Sequence, residues 1–238
     1  MAESGLTFEF VLLGLCYIYI VSVIVITGKI SHRLPKTLAR KFLHIMIGNF
    51  IFVIPFFTLN TFPINFPFFV AAPFIFLTLL VSPLSPVKSL SNRMSGLVDV
   101  TGGGHPFGLV LYAISYTLLA LFFSDKPYIL AAGIIPLAYG DAAASLVGQK
   151  FGKHRYNVLV RKSLEGSVGM FIVCFLILAT GYLFFGYPYA LPISNFIAAT
   201  FAVAVVATVF EAITPKGLDN LTVPLGSAIV FLLLIGGI

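Results

Sequence analysis

The sequence predicts an all-α integral membrane protein, a polytopic bundle of about eight transmembrane helices. Hydrophobic residues make up 59% of the 238 residues, charged residues make up only 9%, and the mean hydropathy is +1.07. A soluble domain carries about 25% charged residues. Apolar runs of about 17 to 22 residues, the length that crosses a bilayer as a helix, recur along the whole chain. Lys and Arg also alternate between successive loops, as they do in polytopic proteins.

The eight apolar runs are joined without a long polar linker, which indicates one membrane domain over 1–238. The first run lacks the features of a cleaved signal peptide, so we expect it to be a span. Pro55 and Pro73 should kink the second and third runs or make them re-entrant, and Pro136 should perturb the fifth. The predicted spans lie near 7–27, 42–59, 66–82, 107–123, 128–147, 167–186, 193–212 and 222–237.

The distribution of basic residues predicts the orientation of these spans. The first, third, fifth and seventh loops contain every Lys and Arg except Lys126. Because cytoplasmic loops are enriched in Lys and Arg, the odd loops are predicted to be cytoplasmic and both termini non-cytoplasmic. The net charge of +6 is therefore attributed to membrane topology, and no nucleic-acid partner is expected.

Four polar motifs fall at this predicted cytoplasmic edge. The first, LARKFLHIMIGN (38–49), opens the second span with Arg40 and Lys41, followed by His44 and Asn49. Cations at a helix N-terminus oppose the helix dipole, so helix stability does not explain them. They suit a phosphate or a lipid head group, although they could also be snorkelling anchors.

The second motif, GDAAASLVGQKFGKH (140–154), closes the fifth span. Asp141, Ser145, Gly148 and Gly152 lie on one stripe of a helix, where small residues allow a ligand or another backbone to approach the carboxylate. Helix–helix packing is the alternative explanation for the small residues. It does not explain Asp141, since a carboxylate at the end of a span requires a cation or a metal.

The third motif, RKSLEGS (161–167), opens the sixth span. Cations beside a Ser and a Gly at a helix N-terminus form an anion site, and a Glu there could hold Mg²⁺. Ser163 could instead be only an N-cap. The motif is not a P-loop, because the spacing differs and no strand is predicted before it. The predicted phosphate-binding residues here and in the preceding loop are Gly148, Lys150, Lys153, Arg161, Lys162, Ser163 and Gly166.

The fourth motif, FEAITPKGLDNLTVP (210–224), joins the last two spans. Glu211 follows about twenty uncharged residues, and Asp219 and Asn220 lie in a loop that Pro215 and Gly217 should make tight. Carboxylates suit a metal, cations suit phosphates, and glycines admit phosphates to the backbone. We therefore expect a Mg²⁺–nucleotide site, with metal ligands among Asp141, Glu165, Asp219 and Glu211, and with Asn220 among the nucleotide-binding residues.

Taken together, RKFLH, GDAAASLVGQKFGKH, RKSLEGSVGMF and EAITPKGLDNLTVP resemble the motifs of the polyprenol kinase family, over about 40–224. The resemblance implies a multi-span enzyme that moves the γ-phosphate of CTP to the hydroxyl of a lipid alcohol of the dolichol or phytol type. It implies functional roles for Arg40, Lys41, Asp141 and Gly148, and CTP binding by the segment that contains KSLEG. We further expect Lys162, as a cation that neutralises the triphosphate, to be a catalytic residue. GGGH at 102–105 could cover the nucleotide.

Two alternatives remain open at this point. CTP:phosphatidate cytidylyltransferases share the GD…FGKH…K-S-x-E-G core, but they end in a different signature from EAITPKGLDNLTVP. A transporter would also carry charged residues within spans, but here these residues cluster at one edge. The sequence does not separate a metal-ligand role of Asp141 from a general-base role, and it leaves the alcohol and the oligomeric state open.

Overall fold

The computed structural model describes residues 2–62, 65–82, 85, 87, 88, 100 and 107–235. The chain divides into two compact units, Met1–Asp125 and Lys126–Ile238. Both units are built from helices, as predicted. The prediction that 1–238 forms one domain is not tested by this division and stays a prediction.

The first unit begins with a long apolar helix. The described elements of this unit are α1 (Ala2–Ile30), α2 (Lys36–Gly48), two 3₁₀ turns (Asn49–Phe52 and Ile54–Phe56), α3 (Phe66–Ala71), α4 (Pro73–Leu80) and α5 (Gly108–Phe123). The Asn65 side chain caps α3 by accepting the N–H of Phe68 at 2.6 Å. Pro73 begins a separate helix, so the predicted interruption of the third run is confirmed.

The second unit contains the remaining apolar runs. Its helices are α6 (Pro127–Ile135), α7 (Asp141–Phe151), α8 (Leu164–Thr180), α9 (Ile193–Ile213) and α10 (Asp219–Ile235), with a π-helical turn (Pro136–Gly140) between α6 and α7. A second π-helical turn (Tyr182–Gly186) and a 3₁₀ turn (Tyr187–Tyr189) follow α8. Helix α8 packs against α7 and α9, and α10 packs against α9 and α6. These contacts bring the first residues of α7, α8 and α10 close to the last residues of α9.

Within the described ranges, four helical segments are long and apolar enough to cross a membrane: Gly5–Ile30, Lys36–Phe56, Pro127–Phe151 and Ile193–Ile213. A fifth is added if Leu164–Thr180 and Tyr182–Tyr189, which are bent by 45°, form one broken span. Phe66–Leu80, Gly108–Phe123 and Asp219–Ile235 are apolar but shorter. Each predicted run thus contains a helix in the described part of the chain, whereas the count of eight spans and the location of the termini stay predictions.

One element was not predicted. Arg155–Asn157 (β1) and Arg161–Ser163 (β2) form an antiparallel hairpin in which Tyr156 pairs with Lys162. The expectation that no strand precedes the third motif is therefore wrong. A three-residue strand is too short to produce a recognisable alternation of apolar and polar residues.

Candidate functional site

The site in the second unit is built around the break between α6 and α7. Pro136 has no N–H to donate, and the helix widens into a π-helical turn over Pro136–Gly140. Gly140 lies against Cys174 and Met170 of α8, leaving no room for a side chain. The next residue, Asp141, begins α7 and is only 7% exposed. The sequence thus places a buried carboxylate directly after the π-helical turn, within the helical segment Pro127–Phe151.

A buried ion pair joins the third and fourth motifs. The Nζ of Lys162, on β2, donates to Oε1 of Glu211 in the last turn of α9. The two side chains are 21% and 7% exposed. A charge pair at this depth is expensive to desolvate and is seldom retained for stability alone, which makes it a candidate for function.

Two further carboxylates act on this pair. Burial tends to lower the pKa of the Lys162 ammonium group, but the carboxylates of Glu211, Asp141 and Asp219 act more strongly in the opposite direction. The pKa of Lys162 is therefore raised above its ordinary value, and its side chain is fully charged at neutral pH. Asp141, Lys162, Glu211 and Asp219, all predicted from the sequence, are thus brought together; we call them the Lys162 cluster.

The cluster contains one cation and three carboxylates. Among the described residues, no hydrogen-bond partner reaches the buried Oε2 of Glu211. A buried carboxylate oxygen without a donor fits a cation or a ligand group. No group of three His, Cys, Asp or Glu side chains in the described ranges lies close enough to hold a metal ion by itself. A Mg²⁺ ion here would take its other ligands from phosphates and water, as this ion usually does.

The loop between α9 and α10 positions Asp219. The backbone of Gly217 has a φ of 92°, a conformation that favours glycine, so the predicted tight turn is confirmed. Oδ1 of Asp219 accepts the N–H groups of Gly217 and Asn220, both at 3.0 Å. Asn220, predicted to bind nucleotide, is buried at the start of α10. This loop holds one edge of the Lys162 cluster in place.

The glycines of the second and third motifs lie where α7 packs against α8. Ser163 caps α8 by accepting the N–H of Gly166 at 3.2 Å, so the N-cap alternative is confirmed. A Cβ at Gly148 would lie 2.9 Å from the Ser163 Oγ, and one at Gly166 would lie 2.7 Å from the Ala144 carbonyl oxygen. Close packing therefore accounts for these glycines, while their contact with a nucleotide stays a prediction.

Glu165 has a partner that sequence reasoning missed. Its Oε1 lies 2.8 Å from Nδ1 of His154, and its carboxylate also accepts the His154 backbone N–H at 3.1 and 3.3 Å. His154 is placed opposite by the hairpin, because its carbonyl oxygen accepts the N–H of Leu164 at 2.9 Å. Glu165 thus ties the hairpin to α8, and it is not among the carboxylates that act on Lys162. Its predicted role as a metal ligand stays untested.

Three predicted phosphate-binding cations are exposed. Lys150 lies at the end of α7 with its Nζ 5.2 Å from the centre of the Phe151 ring. Lys153 precedes the hairpin, and Arg161 is the first residue of β2. Their exposure leaves them accessible to an anionic ligand. It agrees equally well with the ordinary enrichment of Lys and Arg in loops beside membrane spans.

The first motif lies in the first unit, on α2. Lys41 and His44 are buried, at 3% and 2% exposure. The His44 ring stacks on Tyr112 of α5, with centroids 4.8 Å apart, and the Tyr112 hydroxyl donates to the His44 carbonyl oxygen at 3.0 Å. The Nε of Arg40 is buried and has no hydrogen-bond partner in the described part of the chain. The predicted nucleotide-covering residues 102–105 lie outside the described residues.

No protein-family model matches this chain, and no solved structure matches it. Several curated proteins do. A phytol kinase of Synechocystis sp. is 32% identical over 224 residues, which cover 91% of this chain and 88% of the relative. A dolichol kinase of Arabidopsis thaliana is 28% identical over 69% of this chain and 32% of its own length. A chloroplastic farnesol kinase of the same plant is 30% identical over 53% of this chain and 42% of its own length.

The match to the Synechocystis protein covers 91% of this chain and 88% of that relative, so it extends through both units. It confirms the resemblance that these motifs indicate. The chain belongs to the polyprenol kinase family.

Proposed function

We propose that this protein is a lipid alcohol kinase that transfers the γ-phosphate of CTP to the hydroxyl of an isoprenoid alcohol at the cytoplasmic edge of a membrane. The observation that carries the proposal is the Lys162 cluster, a buried cation with three carboxylates at the ends of apolar helices. The names of the relatives, which are phytol, dolichol and farnesol kinases, support the acceptor class. The choice of CTP is supported by the motif resemblance, and the cytoplasmic side by the positions of Lys and Arg.

The carboxylates of the cluster suit Mg²⁺ bound to a triphosphate. In the proposal, one or two of the carboxylates of Asp141, Asp219 and Glu211 would provide protein oxygens, and phosphates and water would provide the rest. When bound, the ion supplies charge neutralisation across the phosphates. This arrangement needs only one or two carboxylates per ion, in agreement with the absence of a three-ligand group among the described residues.

The cations of the chain have a complementary role. Lys162 is held in its charged form by the surrounding carboxylates and faces the negative charge that develops on the transferred phosphoryl group. Arg161, Lys150 and Lys153 bind the outer phosphates, and the catalytic role of Arg40 and Lys41 that the motif resemblance implies stays a prediction. The alcohol oxygen attacks the γ-phosphorus in line, the bond to the bridging oxygen breaks, and CDP and a proton leave. Catalysis consists mainly of positioning and electrostatic stabilisation.

The test uses purified protein in detergent with Mg²⁺ and CTP labelled in the γ-phosphate. Phytol, farnesol and dolichol are offered in separate reactions, with ATP and GTP in parallel and with phosphatidate in a further arm. We expect label on an alcohol and release of CDP. Formation of CDP-lipid and pyrophosphate from phosphatidate, with no labelled alcohol, would overturn the proposal. Transfer from ATP but not from CTP would remove the nucleotide assignment and keep the kinase.

A further inference from the structure

The cation of the Lys162 cluster is carried by the short hairpin. Lys162 is the middle residue of β2 and lies directly opposite Tyr156 of β1. Side chains directly opposite each other in an antiparallel pair project from the same face and interact. Both residues are half-buried, whereas Arg155 and Arg161 beside them are exposed. The face that carries Lys162 therefore packs toward the helices, and Tyr156 is its cross-strand neighbour on that face.

The hydroxyl of Tyr156 fastens this face to α8. It lies 2.6 Å from the Oγ of Ser167, in the first turn of α8. The Ser167 hydroxyl in turn donates to the carbonyl oxygen of Ser163 at 3.3 Å. Because a serine hydroxyl has one hydrogen to donate, Tyr156 is the donor in its bond to Ser167. The bonds thus run from β1 through α8 to the last residue of β2, which directly follows Lys162.

The rest of the hairpin offers little packing. Each strand has three residues, and an isolated two-stranded hairpin is at best marginally stable in water. At the tip, Val158 and Leu159 are 59% and 67% exposed. Glu165 holds the open end through His154, but the His154 side chain is 78% exposed, and such a contact contributes little. The bond from Tyr156 is thus a more sheltered contact, on the face that carries the cation.

We propose that Tyr156 is a positioning residue for Lys162. Through its bond to Ser167, it holds β2 so that the ammonium group faces Glu211 and the transferred phosphoryl group. The inference rests on the proposed function, which gives Lys162 its catalytic role. A lysine is a point charge on a flexible stem, so its location depends on how firmly its backbone is held. A displaced charge stabilises the transition state less well, even when the substrates still bind.

The test is Y156F, which removes the hydroxyl and keeps the ring. Y182F is the matched control: the Tyr182 hydroxyl also donates one hydrogen bond, to the Leu191 carbonyl oxygen at 2.9 Å, but it lies beyond the opposite end of α8. We expect kcat of Y156F to fall about 10- to 100-fold, with unchanged KM for CTP and for the alcohol. Y182F should lose similar thermal stability in detergent and keep the wild-type kcat. Equal losses of kcat in both variants would overturn the inference.

A second variant tests the hydrogen bond itself. S167A removes the acceptor, and Y156F/S167A removes both partners. If this bond positions Lys162, the double variant should be no slower than S167A alone. Losses of kcat that multiply in the double variant would contradict the assignment, because the two hydroxyls would then act separately.

Amide hydrogen exchange provides a readout without turnover. If Tyr156 holds the hairpin, peptides that cover 155–163 should exchange faster in Y156F than in the wild type, and Y182F should leave their exchange unchanged. Unchanged exchange in Y156F, or faster exchange with wild-type kcat, would overturn the inference. Faster exchange in a protein that phosphorylates no alcohol would overturn the proposed function and still support Tyr156 as the residue that holds β2.

Discussion

At the scale of single residues, substitutions of Lys162 and Glu211 can distinguish a structural role of this ion pair from a catalytic role. Removing one partner of a buried pair leaves a charge without compensation and destabilises a protein by about 3 to 5 kcal/mol. Replacing both partners by neutral side chains of similar size is much less harmful. Because Glu211 is 7% exposed and Lys162 is 21% exposed, the pair falls within this regime.

We therefore predict that K162M and E211Q each lower both the thermal stability in detergent and the kinase activity, while the double variant K162M/E211Q regains most of the stability. Activity of the double variant should stay about 100- to 1,000-fold below wild type, as after loss of a group that stabilises the transition state. K216M, at an exposed lysine of the neighbouring loop, is the control. Recovery of activity along with stability would show that the pair is only structural.

Asp141 permits a second prediction at this scale. If its carboxylate binds Mg²⁺, D141N should lower kcat by about 100-fold or more and raise the Mg²⁺ concentration needed for half-maximal rate. The measurement is the rate as a function of Mg²⁺ at saturating CTP. D125N, at an exposed acid, should behave as wild type. A lower kcat with unchanged Mg²⁺ dependence would favour a general base, and full activity would remove Asp141 from both roles.

At the scale of elements, the contact between α7 and α8 decides how far apart the site residues lie. Gly148 and Gly166 let the two helices approach until the Cα of Gly148 lies 3.3 Å from the position of a Cβ on Gly166. Asp141 begins α7, and Lys162 immediately precedes the Ser163 cap of α8. A wider helix pair would therefore separate the carboxylate from the ammonium group.

We predict that G166A destabilises the protein by about 1 to 3 kcal/mol, because its Cβ would overlap the Ala144 carbonyl oxygen. G14A, in the middle of α1, is the matched control: a Cβ there meets nothing within 4 Å. It should be neutral or stabilising, since Ala is a better helix former than Gly. Thermal unfolding in detergent measures both. Equal stability of G166A and wild type would show that the helices can move apart without loss.

The sequence could predict the members of the Lys162 cluster but not their pairing. Asp141 and Glu211 were recognisable because a carboxylate at the end of an apolar run is rare. The contact between Lys162 and Glu211 spans 49 positions and depends on the packing of α8 against α9, which no local pattern reports. The pairing of Glu165 with His154 could not be predicted either, because the hairpin register brings the two residues opposite each other.

At the scale of the whole molecule, the helices of the second unit permit a testable prediction of the orientation in the membrane. Lys126 precedes α6 and Lys216 follows α9. Between them lie Pro127–Phe151, the bent pair from Leu164 to Tyr189, and Ile193–Ile213. If all three cross the membrane, the two lysines lie on opposite sides. The positive-inside rule then predicts that Lys216 and the basic hairpin are cytoplasmic.

Cysteine labelling tests this orientation directly, because the native Cys16 and Cys174 are both buried and should react little. We predict that K216C reacts with a membrane-impermeant maleimide only in inside-out vesicles, and that K126C reacts only in right-side-out vesicles. Both positions are exposed, so failure to react cannot be attributed to burial. Labelling of both variants from the same side would mean that Pro127–Phe151 does not cross the membrane, because the contact between Lys162 and Glu211 requires the bent pair and Ile193–Ile213 together to return the chain to the side of the hairpin. The Lys162 cluster would then face the side from which K216C is labelled, and CTP would have to be supplied there.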